Sequence, residues 1–145
     1  MSGSVKRFEN LEAWQIGREL TNRIYALTKE GPIVKDFGFV EQIRRAAVSI
    51  MNNIAEGFDR GSNKDFVKFL FIARGSAAEV RSLLYVALDQ GYVTDAQFVE
   101  CRDFCIRSSQ VIWGLIRSVR NKSGWITGIK IFVLGLAMGF GLCKL

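Results

Sequence analysis

The chain has 145 residues, 49% of them hydrophobic, which suits one domain with a full core. A formal net charge of +6 directs attention to acidic partners, nucleic acid or anionic lipid, and says nothing about fold. With no histidine, the commonest general base and metal ligand is missing, and three cysteines are an odd number that makes no disulfide framework.

Residues 1–7, beginning MSGS, read as a flexible leader. The first helix is predicted from about Asn10, its candidate N-cap, to Lys29, where Glu30-Gly31-Pro32 stops it. The second is predicted from Asp36 to Phe58, closed by Asp59-Arg60-Gly61-Ser62. The third starts after Ser62 or Asn63 and ends at Gln90, with Gly91 as its C-terminal cap. The fourth starts at Thr94, where Thr94 and Gln97 have capping-box spacing, and runs to about Lys122. No strand-like alternation competes with these helices, and no internal repeat is present.

Apolar residues recur at helical spacing. Ile43, Ala47, Ile50 and Ile54 form one stripe, and Phe66, Leu70, Ala73, Ala77, Val80 and Leu84 form another. Phe98, Cys105, Ser109, Ile112 and Ile116 line the core side of the last helix. Cys101 and Cys105 read as small buried apolar residues rather than as a zinc site, which suits a reducing, cytoplasmic setting. Short connections imply an all-α, antiparallel up-down-up-down four-helix bundle over residues 8–123. Val48, Met51 and Ala55 widen the second helix's stripe, and Ile72, Leu83, Val86, Val67, Phe71 and Tyr85 widen the third's. That is more apolar surface than one bundle buries, so a homo-oligomer is expected.

On a wheel, Gln42, Arg45, Ser49, Asn52, Asn53 and Glu56 share one arc of roughly 100° on the second helix. The arc is either a solvated face or a hydrogen-bonded network at a helix or subunit interface. In the second case Ser76 and Glu79 of the third helix join it, and Arg45 is expected to pair with Glu56 or Glu79.

Three stretches carry a family resemblance. Phe8, Leu11 and Trp14 fit an F-x-x-L-x-x-W start. The stretch from Gln42 to Gly57, QIRRAAVSIMNNIAEG, fits Q-x-R-R-A-x-x-S-I-x-x-N-I-A-E-G. Phe66, Leu70, Ile72, Ala73, Gly75, Ser76 and Glu79 fit F-x-x-x-L-x-I-A-x-G-S-x-x-E. The chain therefore resembles the four-helix-bundle family named for proteins encoded in intervening sequences of 23S ribosomal RNA. The family often has proline where this chain has Met51. The resemblance implies a basic homopentamer without catalytic activity. It also implies kinship with the accessory variability protein of diversity-generating retroelements, which assists a reverse transcriptase and binds its RNA or complementary DNA. Most matching residues are those of the polar arc, which favours the interface reading.

Candidate phosphate contacts are exposed cations: Arg44, Arg60, Lys64, Lys68, Arg74 and Arg81, with Arg102, Arg117, Arg120 and Lys122 on the last helix. No base-reading motif accompanies them, so RNA or single-stranded DNA would be bound without sequence preference. From Gly124 to Leu145 the chain is an apolar, glycine-rich tail. Within it, 126–143 carries one charge, Lys130, and either spans a membrane or packs on the bundle. Two functions are consistent with these features. One is a non-enzymatic nucleic-acid-binding oligomer that supports a reverse transcriptase. The other is an oligomer anchored in a membrane by its tail. Neither needs a cofactor, and no metal-binding spacing is present.

Overall fold

A computed structural model describes residues 5–138, with side chains described as far as Lys122. The described residues form four α-helices and no strand: α1 (Glu12–Leu27), α2 (Phe37–Asp59), α3 (Asn63–Asp89) and α4 (Asp95–Met138). Short 3₁₀ turns at Phe8–Asn10 and Pro32–Lys35 precede α1 and α2. α4 continues past Lys122, the expected end, and no proline breaks the chain between there and Met138.

Local chemistry places most of the ends. The Asp36 carboxylate accepts from the Phe39 amide at 3.1 Å and caps α2. The Ser62 hydroxyl accepts from the Asp65 amide at 3.1 Å and caps α3. Gly91, at φ 69°, ends α3 in the left-handed region, where the Tyr92 amide reaches back to the Ala87 carbonyl at 2.8 Å. Thr94 and Gln97 form the expected reciprocal box at the start of α4: the Gln97 amide donates to Thr94 Oγ1, and the Thr94 amide donates to Gln97 Oε1. Asn10 is not the cap of α1. Leu11 takes that position without a side-chain bond, because the chain makes a 3₁₀ turn over Phe8–Asn10 first. The tilted contact between the Phe8 and Trp14 rings, centroids 5.4 Å apart, holds that turn against the helix.

Each helix packs on two others, in the cycle α1–α2–α3–α4–α1. The fully buried centre is Leu20 and Ile24 of α1, Ile43, Ile50 and Ile54 of α2, Leu70, Val80 and Leu84 of α3, and Ile112 and Ile116 of α4. Each such side chain contributes about 1.5–3 kcal/mol relative to exposure. On α4 the core serine is Ser108, not Ser109, and Cys101 joins Cys105 inside. Thr21 ties α1 to α2 by donating both to the Gly17 carbonyl, at 2.8 Å, and to the Ala47 carbonyl, at 3.1 Å. Ile72, Val86, Phe71 and Tyr85 of α3 remain exposed, part of the surplus apolar surface expected from the wheel.

α2 and α3 approach closely at Gly57, the last residue of the QIRRAAVSIMNNIAEG stretch. A Cβ there would stand 2.5 Å from Phe69 Cβ, a backbone-anchored atom that cannot swing away. Glycine is thus required at this crossing of α2 and α3. Among the described residues no helix is long and apolar enough to cross a membrane. The segment 126–143 lies outside the residues whose side chains are described.

Gly57→Ala should destabilise the fold by about 1–3 kcal/mol in urea denaturation, the usual cost of overpacking. Gly114→Ala, with nothing within 4 Å of its added Cβ, should be neutral or stabilising by up to about 1 kcal/mol from helix propensity. A Gly57→Ala protein as stable as the parent would show that the two helices do not meet there.

Candidate functional site

The polar arc of α2 faces an open groove of about 530 Å³ between α2 and α3, lined by Gly38, Glu41, Gln42, Arg45, Ala46, Ser49 and Glu79. At its floor runs a short chain of hydrogen bonds. Asn53 Nδ2 donates to the Ser49 carbonyl at 2.8 Å and to Ser49 Oγ at 2.9 Å. Ser49 Oγ and Ser76 Oγ are 2.9 Å apart, and Ser76 also donates to the Ile72 carbonyl at 3.1 Å. Since Ser76 has only one proton, it goes to Ile72, and Ser49 donates to Ser76. Hydrogen bonds thus join Asn53, Ser49 and Ser76.

It does not extend to the charged residues in the way expected. Arg45 pairs with Glu41 at 3.7 Å, both side chains three-quarters exposed. Glu56 accepts from Arg60 at 2.8 Å. Arg45 and Glu56 share an arc but stand eleven residues apart, roughly 16 Å along the axis, too far to meet. Gln42 and Glu79 line the groove and are exposed to solvent.

The expected phosphate contacts divide sharply. Arg44 is engaged at the end of α1: its Nε donates to Thr28 Oγ1 at 2.7 Å, a second nitrogen donates to the Thr28 carbonyl at 3.1 Å, and the guanidinium lies over Tyr25. Arg74 lies over Trp113 and donates to Ser109 Oγ at 3.2 Å. Arg60 is held by Glu56 and covers Phe69; that hydrogen bond and the nearby carboxylate raise its pKa further. Lys64, Lys68 and Arg81 are exposed and make no ion pair among the described residues.

Arginine over an aromatic ring is a recurring device here. Arg18, Arg23, Arg44, Arg60, Arg74, Arg102 and Arg120 lie over Trp14, Phe104, Tyr25, Phe69, Trp113, Phe98 and Phe71. A chain of this size would ordinarily hold about two such contacts, so covering rings is a main employment of its arginines. Sequence reading missed these pairs because most of them join different elements: Arg23, Arg44, Arg74 and Arg120 each reach a neighbouring helix, and Arg60, at the end of α2, reaches α3.

Charge is also segregated along α3 and α4. No carboxylate occurs from Phe66 to Ala78, and none occurs after Asp103. Lys68, Arg74, Arg107, Arg117, Arg120 and Lys122 fall in these two acid-free stretches. Of these only Arg107 is ion-paired among the described residues, at 3.6 Å from Glu12 on the α1 side. The carboxylates Glu79, Asp89, Asp95, Glu100 and Asp103 lie toward the turn that joins the two helices. The acid-free stretches were visible in the sequence; their adjacency needed the fold.

The two described cysteines offer no nucleophile. Burial pushes the Cys101 thiol up to about 11 and the Cys105 thiol up to about 12, so neither supplies a thiolate near neutral pH. Among the described residues no group of three histidine, cysteine, aspartate or glutamate side chains could hold a metal ion.

The family model of the 23S rRNA-intervening sequence proteins matches residues 9–114, which span α1 to α3 and the first half of α4. The chain belongs to the 23S rRNA-intervening sequence protein family. Among solved structures, it is similar to a protein of unknown function from the S23 ribosomal protein family of Bacteroides thetaiotaomicron, solved at 1.70 Å. The two share 27% identity and a TM-score of 0.67, and the match covers 72% of this chain and 97% of the other. No curated protein matches the chain. In this member of the 23S rRNA-intervening sequence family, the Ser49–Ser76 hydrogen bond and the close approach at Gly57 join α2 to α3, Asn53 braces Ser49 within α2, and Arg44 closes α1.

Arg44→Ala should lower stability by about 1–3 kcal/mol, because it leaves a buried helix end without its charged donor. Arg45→Ala should cost about 0.5 kcal/mol or less, as for an exposed pair. Equal losses in chemical denaturation would contradict this division of the two neighbouring arginines.

Proposed function

We propose that the chain is a non-enzymatic accessory protein that binds RNA or DNA through phosphate, without sequence preference. The observation that carries this reading is the basic surface of α3 and α4, where Lys68, Arg117, Arg120 and Lys122 make no ion pair among the described residues. Lys64, one turn before Lys68, adds to it. Phosphate binding needs little more than such a patch, because neutralising the backbone releases condensed counterions. In this reading the four helices run antiparallel, up-down-up-down. Protomers associate into a homo-oligomer, a pentamer by family resemblance, which multiplies the basic surface. The exposed apolar side chains of α3, Ile72 and Val86 among them, support a subunit contact. A reverse transcriptase working on the same nucleic acid is the partner proposed.

Labelled oligonucleotides titrated with the full chain should show affinity falling about 50- to 150-fold between about 50 and about 200 mM salt, for roughly four neutralised phosphates. Lys64→Glu with Lys68→Glu should weaken all sequences alike and flatten the salt slope by about 1.4–1.8. A salt-independent affinity, or one indifferent to both reversals, would contradict the reading. Light scattering should return a multiple of the 16.3 kDa protomer, and a monomer would contradict the assembly.

A further inference from the structure

Two of the covered rings belong to a single stack that bridges the acid-free stretches of α3 and α4. Arg120 lies 5.1 Å over Phe71, Phe71 meets Trp113 edge-on at 6.2 Å, and Arg74 lies 4.9 Å over Trp113. Residues from the two helices thus alternate as cation, ring, ring, cation. Ser109 fixes Arg74 in place by accepting from its Nε. Phe71 nevertheless keeps 40% of its surface exposed, and Trp113 is half-buried. Lys68 lies one turn before Phe71 on α3, and Arg117 lies one turn after Trp113 on α4, so unpaired cations flank the rings on both helices.

We propose that this stack is a stacking site for unpaired nucleobases, which gives the protein a preference for single strands over duplex. The inference rests on the nucleic-acid reading above and adds to it the class of ligand. A phosphate patch alone serves single and double strands alike. A half-exposed ring between cations serves only a base whose face is free, and base–aromatic stacking is tolerant of sequence because every base has a π-face. A guanidinium plane stacks bases too, so Arg120 extends the platform. A second exposed ring, Tyr85, packs on Phe98 beneath Arg102, but there Asp103 holds the guanidinium at 2.8 Å and Asp95 stands nearby in sequence. Carboxylates at that end repel a phosphate backbone, which assigns the site to Phe71 and not to Tyr85.

The test is fluorescence anisotropy of the full chain with three probes of equal phosphate number per strand, about 12 nucleotides long: oligothymidylate, an abasic strand and a duplex. Wild type should bind oligothymidylate about tenfold more tightly than the abasic strand, the low end of what stacked bases contribute. Phe71→Leu should abolish that difference, Phe71→Tyr should retain it, and Tyr85→Leu should leave all three affinities unchanged. Equal affinity of wild type for oligothymidylate and the abasic strand would overturn the stacking site and leave phosphate binding standing. A thymidylate preference that survives Phe71→Leu would overturn its placement. Absence of binding to all three at low salt would overturn both readings.

Discussion

Much of the aromatic surface that the four-helix core does not hold lies under arginine, in seven guanidinium–ring contacts among the described residues. A guanidinium over a ring contributes about 0.5–1 kcal/mol at an exposed site, and its aliphatic stem shields apolar area as well. The arrangement explains why the net charge overstates the freely available positive surface. Arg23, Arg44 and Arg74 are bound to their own fold by rings together with hydrogen bonds or ion pairs. The cations left over are mostly lysines and the arginines near the far half of α4. Those lie where α3 and α4 carry no carboxylate.

The same reasoning reassigns the residues that carry the family resemblance. The stretch from Gln42 to Gly57 looks like a site because it concentrates polar groups on one arc. Its buried members instead make the α2–α3 contact. Ser49, Asn53 and Ser76 satisfy one another between two helices that Gly57 allows to come close. Arg44 closes the end of α1, a task for a planar five-donor fork that lysine could not repeat. What these residues fix is the position of α3, and through it the seam with α4. Function, in the proposed reading, lies on that seam and outside the strongest motif.

Helix number, order and most ends were legible in the sequence because the signals are local. Ser62, Gly91 and the Thr94–Gln97 pair act within one turn, and the apolar stripes repeat at 3.6 residues. Asn10 misled because a 3₁₀ turn, held by Phe8 on Trp14, precedes the helix and shifts its start. Ser109 was confused with Ser108 because one residue is 100° on a wheel, and the true core face of α4 is rotated toward Cys101. The wheel put Arg45 and Glu56 together because it records angle and omits height. Arg44 with Thr28, and Arg120 with Phe71, depend on which helices adjoin, which no periodicity encodes. The apolar tail from Gly124 was read from composition alone, and its membrane reading stays with the sequence.

In the proposed function, the acid-free halves of α3 and α4 form the working surface of the protein. Hydrogen–deuterium exchange of the full chain, with and without saturating single-stranded oligonucleotide, addresses it most directly. Added protection is expected in Phe66–Ala78 and in the turns after Asp103 through Lys122, with little change in the α1–α2 connection around Pro32–Lys35. Protection confined to that connection, or to the α2–α3 groove around Arg45, would contradict it.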